Sequence, residues 1–152
     1  MLKGVEFKMQ VLQACREIIS ERLENAQRAM NAAQEASNSE DKSSAGDKYE
    51  TSRAMGHRDR DMYARQLLEA KRELEKLNKI NLEPSNVVRA GSLIEVNETH
   101  YFISTGIGKI EVQGHPIMAI SRESPIAALM MGKKINDEFN FNGKLWKIKN
   151  LN

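Results

Sequence analysis

The chain has 152 residues, of which 40% are hydrophobic, 29% charged and only 5% aromatic. This hydrophobic fraction can supply a core, which excludes a wholly disordered chain, and the length allows one ordinary domain or two small ones. Residues 1–82 hold 15 basic and 14 acidic side chains, and residues 83–152 hold 8 and 7. Neither part has the concentrated basic excess of a protein that binds DNA by charge, so we expect no strong independent DNA binding.

A single cysteine, Cys15, excludes an intrachain disulfide and a cysteine-based zinc site, and it fits a reducing compartment. Because Cys15 falls among apolar residues at helical spacing, we expect a buried core thiol rather than a nucleophile. The first residues lack the apolar run of a signal peptide, and no stretch approaches the roughly 18 apolar residues of a membrane span. We expect a cytoplasmic protein that does not associate with membranes.

A long amphipathic helix is predicted from residue 5 to about residue 37, a stretch without proline or glycine. Its apolar stripe consists of Leu12, Cys15, Ile19, Ala26, Ala29 and Ala33. The stripe changes from bulky side chains to alanine along its length. Since alanine buries little area, the far end should be thinner and less stable than the near end.

A polar, turn-rich segment at 37–46 precedes a second helical run, in which Gly56 is a local weak point. The seam of this run repeats at spacings of 4, 3, 4 and 3 through Tyr63, Leu67, Ala70, Leu74 and Leu77. The run should end near Leu82, because Pro84 stops it. Residues 1–82 are therefore predicted to form an antiparallel helical hairpin, or coiled coil, with its tip near 38–47.

After a linker at 83–87 the pattern changes to that of short strands. These are expected in Ser92–Val96, Tyr101–Ser104, Lys109–Val112, Pro116–Ser121 and a hairpin over 139–148 that turns at Asn142-Gly143. Between the strand groups, Ser124 caps a short helix, Pro125 takes its first position and Gly132 closes it. The prediction is an α+β chain in which 88–152 form a small antiparallel β domain with one short helix.

Residues 124–139 resemble the C-terminal signature of the Gre transcript-cleavage factors. That signature reads Ser-Pro-hydrophobic-Gly, two or three apolar residues, Gly-Lys-Lys, hydrophobic, Gly-Asp-Glu; here Ala127 and Asn136 replace two of the glycines. The run 43–55 is similar to that of a divergent GreA/GreB-like subgroup of Bacteroidetes. The resemblance implies a helical hairpin followed by an FKBP-like β domain.

The resemblance also implies that the β domain docks on RNA polymerase while the hairpin enters the secondary channel and presents its tip to the active site. The partner would be RNA polymerase, with indirect contact to nascent RNA. The chain itself would not be an enzyme and would at most stimulate the polymerase's own nuclease activity. The residues of the motif expected to serve partner binding are Ser124, Pro125, Gly132, Lys133, Lys134 and Asp137.

In the cleavage factors, an Asp and a Glu at the tip help to hold a second Mg²⁺, since Mg²⁺ takes oxygen ligands and two ions flank the scissile phosphate. Aligned without gaps on Tyr49, these two positions fall on Lys42 and Ala45. The acidic residues nearby are Asp41, Asp47, Glu40 and Glu50. The first two are the candidate catalytic and metal-binding acids, acting only jointly with the polymerase, and the other two are alternates. No cofactor of the chain's own is expected.

Three other functions remain open at this stage. A secondary-channel regulator that does not stimulate cleavage follows from the departure at Lys42 and Ala45. A prolyl isomerase or chaperone on an FKBP-like fold would need an apolar pocket lined by aromatic side chains, and the five aromatics of 88–152 are largely required by the core. A generic coiled-coil scaffold would have no need for the polar tip.

Overall fold

The structure is a computed structural model that describes residues 4–40 and 46–152, with side chains described for 4–38 and 54–152. In chain order its elements are α1 Val5–Glu40, α2 Gly46–Asn78, β1 Leu93–Val96, β2 Thr99–Ser104, β3 Gly108–Val112, β4 His115–Ser121, α3 Pro125–Met130, β5 Glu138–Phe141 and β6 Lys144–Leu151. The predicted class, a long helical hairpin followed by a small sheet domain with one short helix, is confirmed. No helix within 4–40 or 46–152 is both long and apolar enough to cross a membrane.

The chain divides into two compact units. One contains the chain up to Ile18 together with Glu75–Asn152, and the other is Ile19–Leu74. The sequence placed its division at the linker 83–87, between domains 1–82 and 88–152, because composition changes there. The structure groups residues differently because the first turns of α1 pack on the sheet.

Within Ile19–Leu74 the two helices run antiparallel, as predicted. Arg22 Nη1 and Glu73 Oε2 are 4.0 Å apart, and farther along α1 the Gln34 Oε1 accepts a hydrogen bond from Arg60 Nη1 at 3.0 Å. Residue numbers that increase along α1 are therefore paired with residue numbers that decrease along α2, as antiparallel helices require. Leu67 of the predicted seam is buried, together with its neighbour Ala70 and Ala26 on the facing stripe.

The two helices lie close together where Ser37 of α1 meets Gly56 of α2. Ser37 is buried there, and a Cβ added at Gly56 would lie 3.2 Å from the Ser37 Cβ. The Ser37 Oγ lies 3.4 Å from the His57 Nε2. Gly56 weakens its helix by propensity, but it also permits the two helices to approach closely.

The second helix ends four residues before the predicted limit at Leu82. Its last turn tightens, since Lys79 N and Ile80 N donate to carbonyls only three residues back, at 3.2 and 3.3 Å. The Asn81 side chain then accepts a hydrogen bond from Glu83 N at 2.9 Å. An asparagine that bonds its own backbone competes with the helix, so α2 stops before Pro84 is reached.

The six strands form one sheet in the order β3-β4-β2-β1-β6-β5. All neighbouring pairs are antiparallel except β2 and β4, which are parallel. The sequence predicted an antiparallel domain, and this pair is the correction: β3 takes the edge position, so β4 returns beside β2 in the same direction. The predicted hairpin turn is confirmed, since Asn142 and Gly143 both have positive φ, 54° and 74°.

Both faces of the sheet are covered. One face packs on α3 and forms a core of Val88, Ile94, Val96, Tyr101, Ile103, Ala127, Met130, Phe139 and Ile148. On the opposite face Phe102 is fully buried, and the Phe7 ring of α1 meets His115 edge-on at 6.2 Å between centroids. Cys15 is fully buried as predicted, and burial raises the pKa of its thiol to about 11.

Lys8 is carried into the interior by the same packing. Its side chain is 1% exposed, and its Nζ donates a hydrogen bond to the Asn152 main-chain oxygen at 3.1 Å. Burial, and then the positive charge of Arg89, lower the pKa of Lys8 to about 8. The charged ammonium is therefore less favourable in the folded protein than in the unfolded chain.

We predict a pH dependence of stability that originates from Lys8. From about pH 8 to its ordinary pKa of 10.5, the unfolded chain holds a proton on Lys8 that the folded chain has released, so the free energy of unfolding should rise with pH in this window. The full rise approaches roughly 3 kcal/mol. Urea unfolding at pH 7 to 9 should show the rise in the wild type and not in Lys8→Met; above about pH 9 the raised pKa of the buried Cys15 thiol acts in the opposite direction. The exposed Lys109, changed to Met, is the control, and a slope that Lys8→Met leaves unchanged contradicts the assignment.

Candidate functional site

The motif residues 124–139 begin with a well-formed helix start. The Ser124 Oγ accepts a hydrogen bond from Ala127 N at 3.3 Å, and Pro125 occupies the first turn of α3. Pro125 lacks an N–H that would be unpaired at this position in any case. The helix ends at Met130, and just beyond it Gly132 has a φ of 80°, in the left-handed region that favours glycine. The predicted start and stop signals are thus confirmed.

The turn after α3 is fixed to the segment that precedes β1. Gly132 N donates to the Val88 carbonyl at 2.9 Å, and Val88 N donates to the Lys133 carbonyl at 2.8 Å. Val88 is itself buried in the core on the α3 side of the sheet. Reciprocal backbone bonds of this kind hold the position of Lys133 without using its side chain.

The other end of the motif is fixed to β6. Asn136 N donates to the Ile148 carbonyl at 2.8 Å, and Ile148 N donates to the Asp137 carbonyl at 3.0 Å. The Asp137 Oδ2 accepts from Lys134 N at 2.8 Å and closes the turn between them. Asn136 has a φ of 74°, in the left-handed region that glycine and asparagine adopt more readily than other residues.

Two cations and two apolar side chains of this segment are at least partly open to solvent. Lys134 is exposed and Lys133 half-buried, and neither ammonium makes a hydrogen bond or ion pair within the described side chains. Leu129 is 40% exposed and Ile135 is 47% exposed. The sequence reasoning missed these two apolar residues, although α3 is apolar on every side and a helix packed on one sheet can bury only one face.

The six residues expected to serve partner binding therefore fall into two groups. Ser124, Pro125, Gly132 and Asp137 shape the backbone of the segment. Lys133 and Lys134 project cations from that backbone, which makes them the members best placed to meet a partner. Contact of any of the six with a polymerase stays a prediction.

The candidate tip acids cannot be placed in a site. Asp41 lies outside the described residues, and the side chains of Glu40, Asp47 and Glu50 lie outside the described side chains. Within 4–38 and 54–152, no group of three or more His, Cys, Asp and Glu side chains could hold a metal ion. The shared Mg²⁺ stays a prediction from the resemblance.

The aromatic side chains of the sheet domain are used by its core. Phe139 stacks on Trp146 at 6.2 Å between centroids, and Phe141 meets the same indole edge-on at 6.1 Å. The Trp146 Nε1 donates to the Phe141 carbonyl at 3.1 Å. Two cavities among the described residues of this unit, one near Leu12 and one near Lys79, have no aromatic residue in their linings. This arrangement does not favour an isomerase with an aromatic substrate pocket.

No protein-family model matches the chain, and no curated protein matches it. Two solved structures are similar to it over most of its length. The transcription factor Gfh1 has a TM-score of 0.40 and 13% identity, covering 90% of each chain. The GreA factor homolog 1 (Gfh1) of Thermus thermophilus has a TM-score of 0.35 and 14% identity, covering 98% of this chain and 94% of that one.

We predict that the positive φ at position 136 decides which residues are tolerated there. Asn136→Gly should leave the free energy of unfolding unchanged or raise it by a few tenths of a kcal/mol, since glycine adopts a positive φ without strain. Asn136→Val should lower it by about 1–2 kcal/mol, because a β-branched side chain is strained at φ 74°.

Asn140→Val provides the control for this pair of variants. Asn140 is exposed in the middle of β5, where valine suits the extended backbone. Urea unfolding should therefore show little or no loss for Asn140→Val. Equal losses in Asn136→Val and Asn140→Val would show that the positive φ at Asn136 is not the cause.

Proposed function

We propose that this chain is a transcription elongation factor that binds RNA polymerase, with its sheet domain docked on the enzyme and its helical hairpin in the secondary channel. The observation that carries the proposal is the coincidence of two features in residues 124–139. The segment has the motif of the Gre factors, and its backbone is fixed at both ends while the Lys134 side chain is exposed. A fixed loop that presents a free cation is suited to docking on a protein surface.

The helical hairpin supports the second half of the proposal. Its helices have 36 and 33 residues, which at 1.5 Å per residue corresponds to about 50 Å each. The close approach of Gly56 and Ser37 keeps the hairpin narrow in Ile19–Leu74. A long, narrow helical pair is what a deep channel can admit. Because the net charge is only +2, affinity would come from the polymerase surface rather than from nucleic acid.

The factor acts on elongation without being an enzyme itself. In the cleavage-stimulating form of the proposal, Asp41 and Asp47 offer carboxylate oxygens to a Mg²⁺ at the polymerase active site, with Glu40 and Glu50 as alternates. In the non-cleaving form, Lys42 and Ala45 occupy the two family positions and the hairpin regulates by occupying the channel. Membership of the subgroup found in Bacteroidetes stays a prediction, as does cytoplasmic location.

We predict that docking depends on the two motif lysines. The charge-reversal variant Lys133→Glu/Lys134→Glu should lose at least about tenfold in affinity for RNA polymerase, since cations that face a partner become repulsive. The measurement is fluorescence anisotropy of the labelled full chain titrated with core polymerase.

Lys109→Glu/Lys144→Glu is the matched control, with the same charge change on exposed residues of β3 and β6. We expect its affinity to stay within about twofold of the wild type. Circular dichroism establishes that each variant is folded. The docking proposal is wrong if the wild type does not bind, or if both double variants lose affinity equally.

We predict that substituting the tip acids will distinguish the cleavage-stimulating form of the proposal from the non-cleaving form. In stalled, backtracked elongation complexes with Mg²⁺, a cleavage-stimulating wild type shortens the RNA, and Asp41→Asn/Asp47→Asn abolishes this while binding is retained. Glu40→Gln/Glu50→Gln, with the same loss of charge, should still stimulate cleavage. No shortening by a wild type that binds the polymerase would establish the non-cleaving form, and equal shortening by all three proteins would exclude these acids from the reaction.

A further inference from the structure

A cavity of about 510 Å³ lies in the unit that contains the sheet. Its walls come from the end of α2, the turn before β1, the end of β2 and the turn before α3. Four cations line it, Lys76, Lys79, Arg89 and Arg122, against the single carboxylate of Glu123. The charged lining residues therefore carry a formal net charge of +3. In a chain whose total formal charge is +2, this concentration of positive charge is not a general property of the surface.

The four cations are only partly neutralised by the protein. The Lys79 ammonium makes no hydrogen bond or ion pair within the described side chains, and the Arg122 Nε lies 3.9 Å from Glu123 Oε1. Arg89 donates from Nη2 to the Glu83 carbonyl at 2.8 Å, which orients its guanidinium without cancelling its charge. The Glu123 carboxylate is held chiefly by the Ser121 hydroxyl. A concave wall that carries unpaired cations concentrates positive potential and attracts anions.

A buried hydroxyl also lines this cavity. Ser104 is 8% exposed, and its Oγ is enclosed by the protein beside the Cys15 thiol, with which it interacts. The hydroxyl is therefore closed to a ligand, and an anion in the cavity would be held by the cations of the wall.

The wall beside this hydroxyl is held in place by close backbone packing. Gly91 has a φ of 92°, and a Cβ added there would lie 2.3 Å from the Asn81 carbonyl oxygen. Only glycine allows the turn before β1 to approach the segment after α2 so closely. The cations of these two segments, Lys79 and Arg89, are therefore carried by a backbone whose spacing is fixed.

We propose that this cavity is a binding site for a small molecule with a multiply charged phosphate group, of the kind offered by inorganic pyrophosphate or by a nucleoside diphosphate. Lysine and arginine side chains pair with phosphate oxygens through charge-assisted hydrogen bonds. A diphosphate matches the excess of three positive charges better than a singly charged anion does. Met131 provides an apolar wall that a nucleoside could contact. The site does not depend on polymerase binding.

The test is isothermal titration of the full chain with pyrophosphate, ADP and orthophosphate at physiological salt. We expect saturable binding of pyrophosphate that is tighter than that of orthophosphate. Tighter binding of ADP than of pyrophosphate would identify a nucleotide as the ligand, and the reverse order would identify the inorganic anion. Lys76→Gln/Lys79→Gln should weaken binding at least about tenfold, since it removes two charge-assisted contacts. Glu123→Gln should strengthen it, because it removes the competing carboxylate.

Two matched controls separate the site from general effects. Lys109→Gln/Lys144→Gln removes the same charge from exposed residues outside the cavity, and it should leave affinity unchanged. Thr105→Val removes a buried hydroxyl that does not line the cavity, and it should also leave affinity unchanged.

The proposal is overturned if neither pyrophosphate nor ADP binds saturably, or if the control variants lose as much affinity as the cavity variants. It is also overturned if a single-stranded RNA oligomer binds more tightly than ADP with the same dependence on Lys76 and Lys79, because the cavity would then be part of a polymer-binding surface. Thermal unfolding of each variant, followed by circular dichroism, establishes that a lost signal does not reflect a lost fold.

Discussion

The central constraint in this structure is that the sheet has two apolar faces and only one short helix of its own to cover them. α3 covers the face that includes Ile103, but Phe102 on the next position points to the opposite face and is equally buried. The first turns of α1 provide the missing cover through Phe7 and Cys15. Each large apolar side chain buried in this way contributes about 1.5–3 kcal/mol, so the start of α1 is an integral part of the sheet unit. The burial of Lys8 is a consequence of this packing.

The side chains that the two helices bury differ in size along the chain. The first turns of α1 contribute large buried side chains to the unit that contains the sheet, whereas within Ile19–Leu74 the contact of Gly56 with Ser37 buries almost no apolar area. A helical pair that meets through such small residues can be narrow. We expect the acidic residues predicted for the tip to contribute at most about 1 kcal/mol through capping or dipole effects, so that changing them would cost the fold little.

Features that are encoded locally could be predicted from the sequence. Asn142-Gly143 between alternating residues predicted the last hairpin, and Ser124-Pro125 predicted the start of α3, because turn and capping chemistry act within a few residues. The parallel pairing of β2 with β4 could not be predicted, since it depends on which strand takes the sheet edge. The cationic cavity was missed for the same reason: Lys79, Arg89 and Arg122 are distant in sequence and have no spacing that a motif could reveal. In the candidate site, the backbone roles of Ser124 and Gly132 could be predicted from the sequence. The exposure of Ile135 could not, because it depends on how this segment packs in the folded domain.

In the function that we propose, one RNA polymerase accommodates both the fixed docking segment and the long, narrow hairpin of this chain. The most direct measurement is a cryo-electron microscopy structure of the full chain bound to RNA polymerase. The account predicts density for both helices inside the secondary channel, with residues 38–47 close to the active site and Lys134 against the polymerase surface. A complex in which the hairpin lies outside the channel, or in which the sheet domain makes no contact with the enzyme, would contradict it.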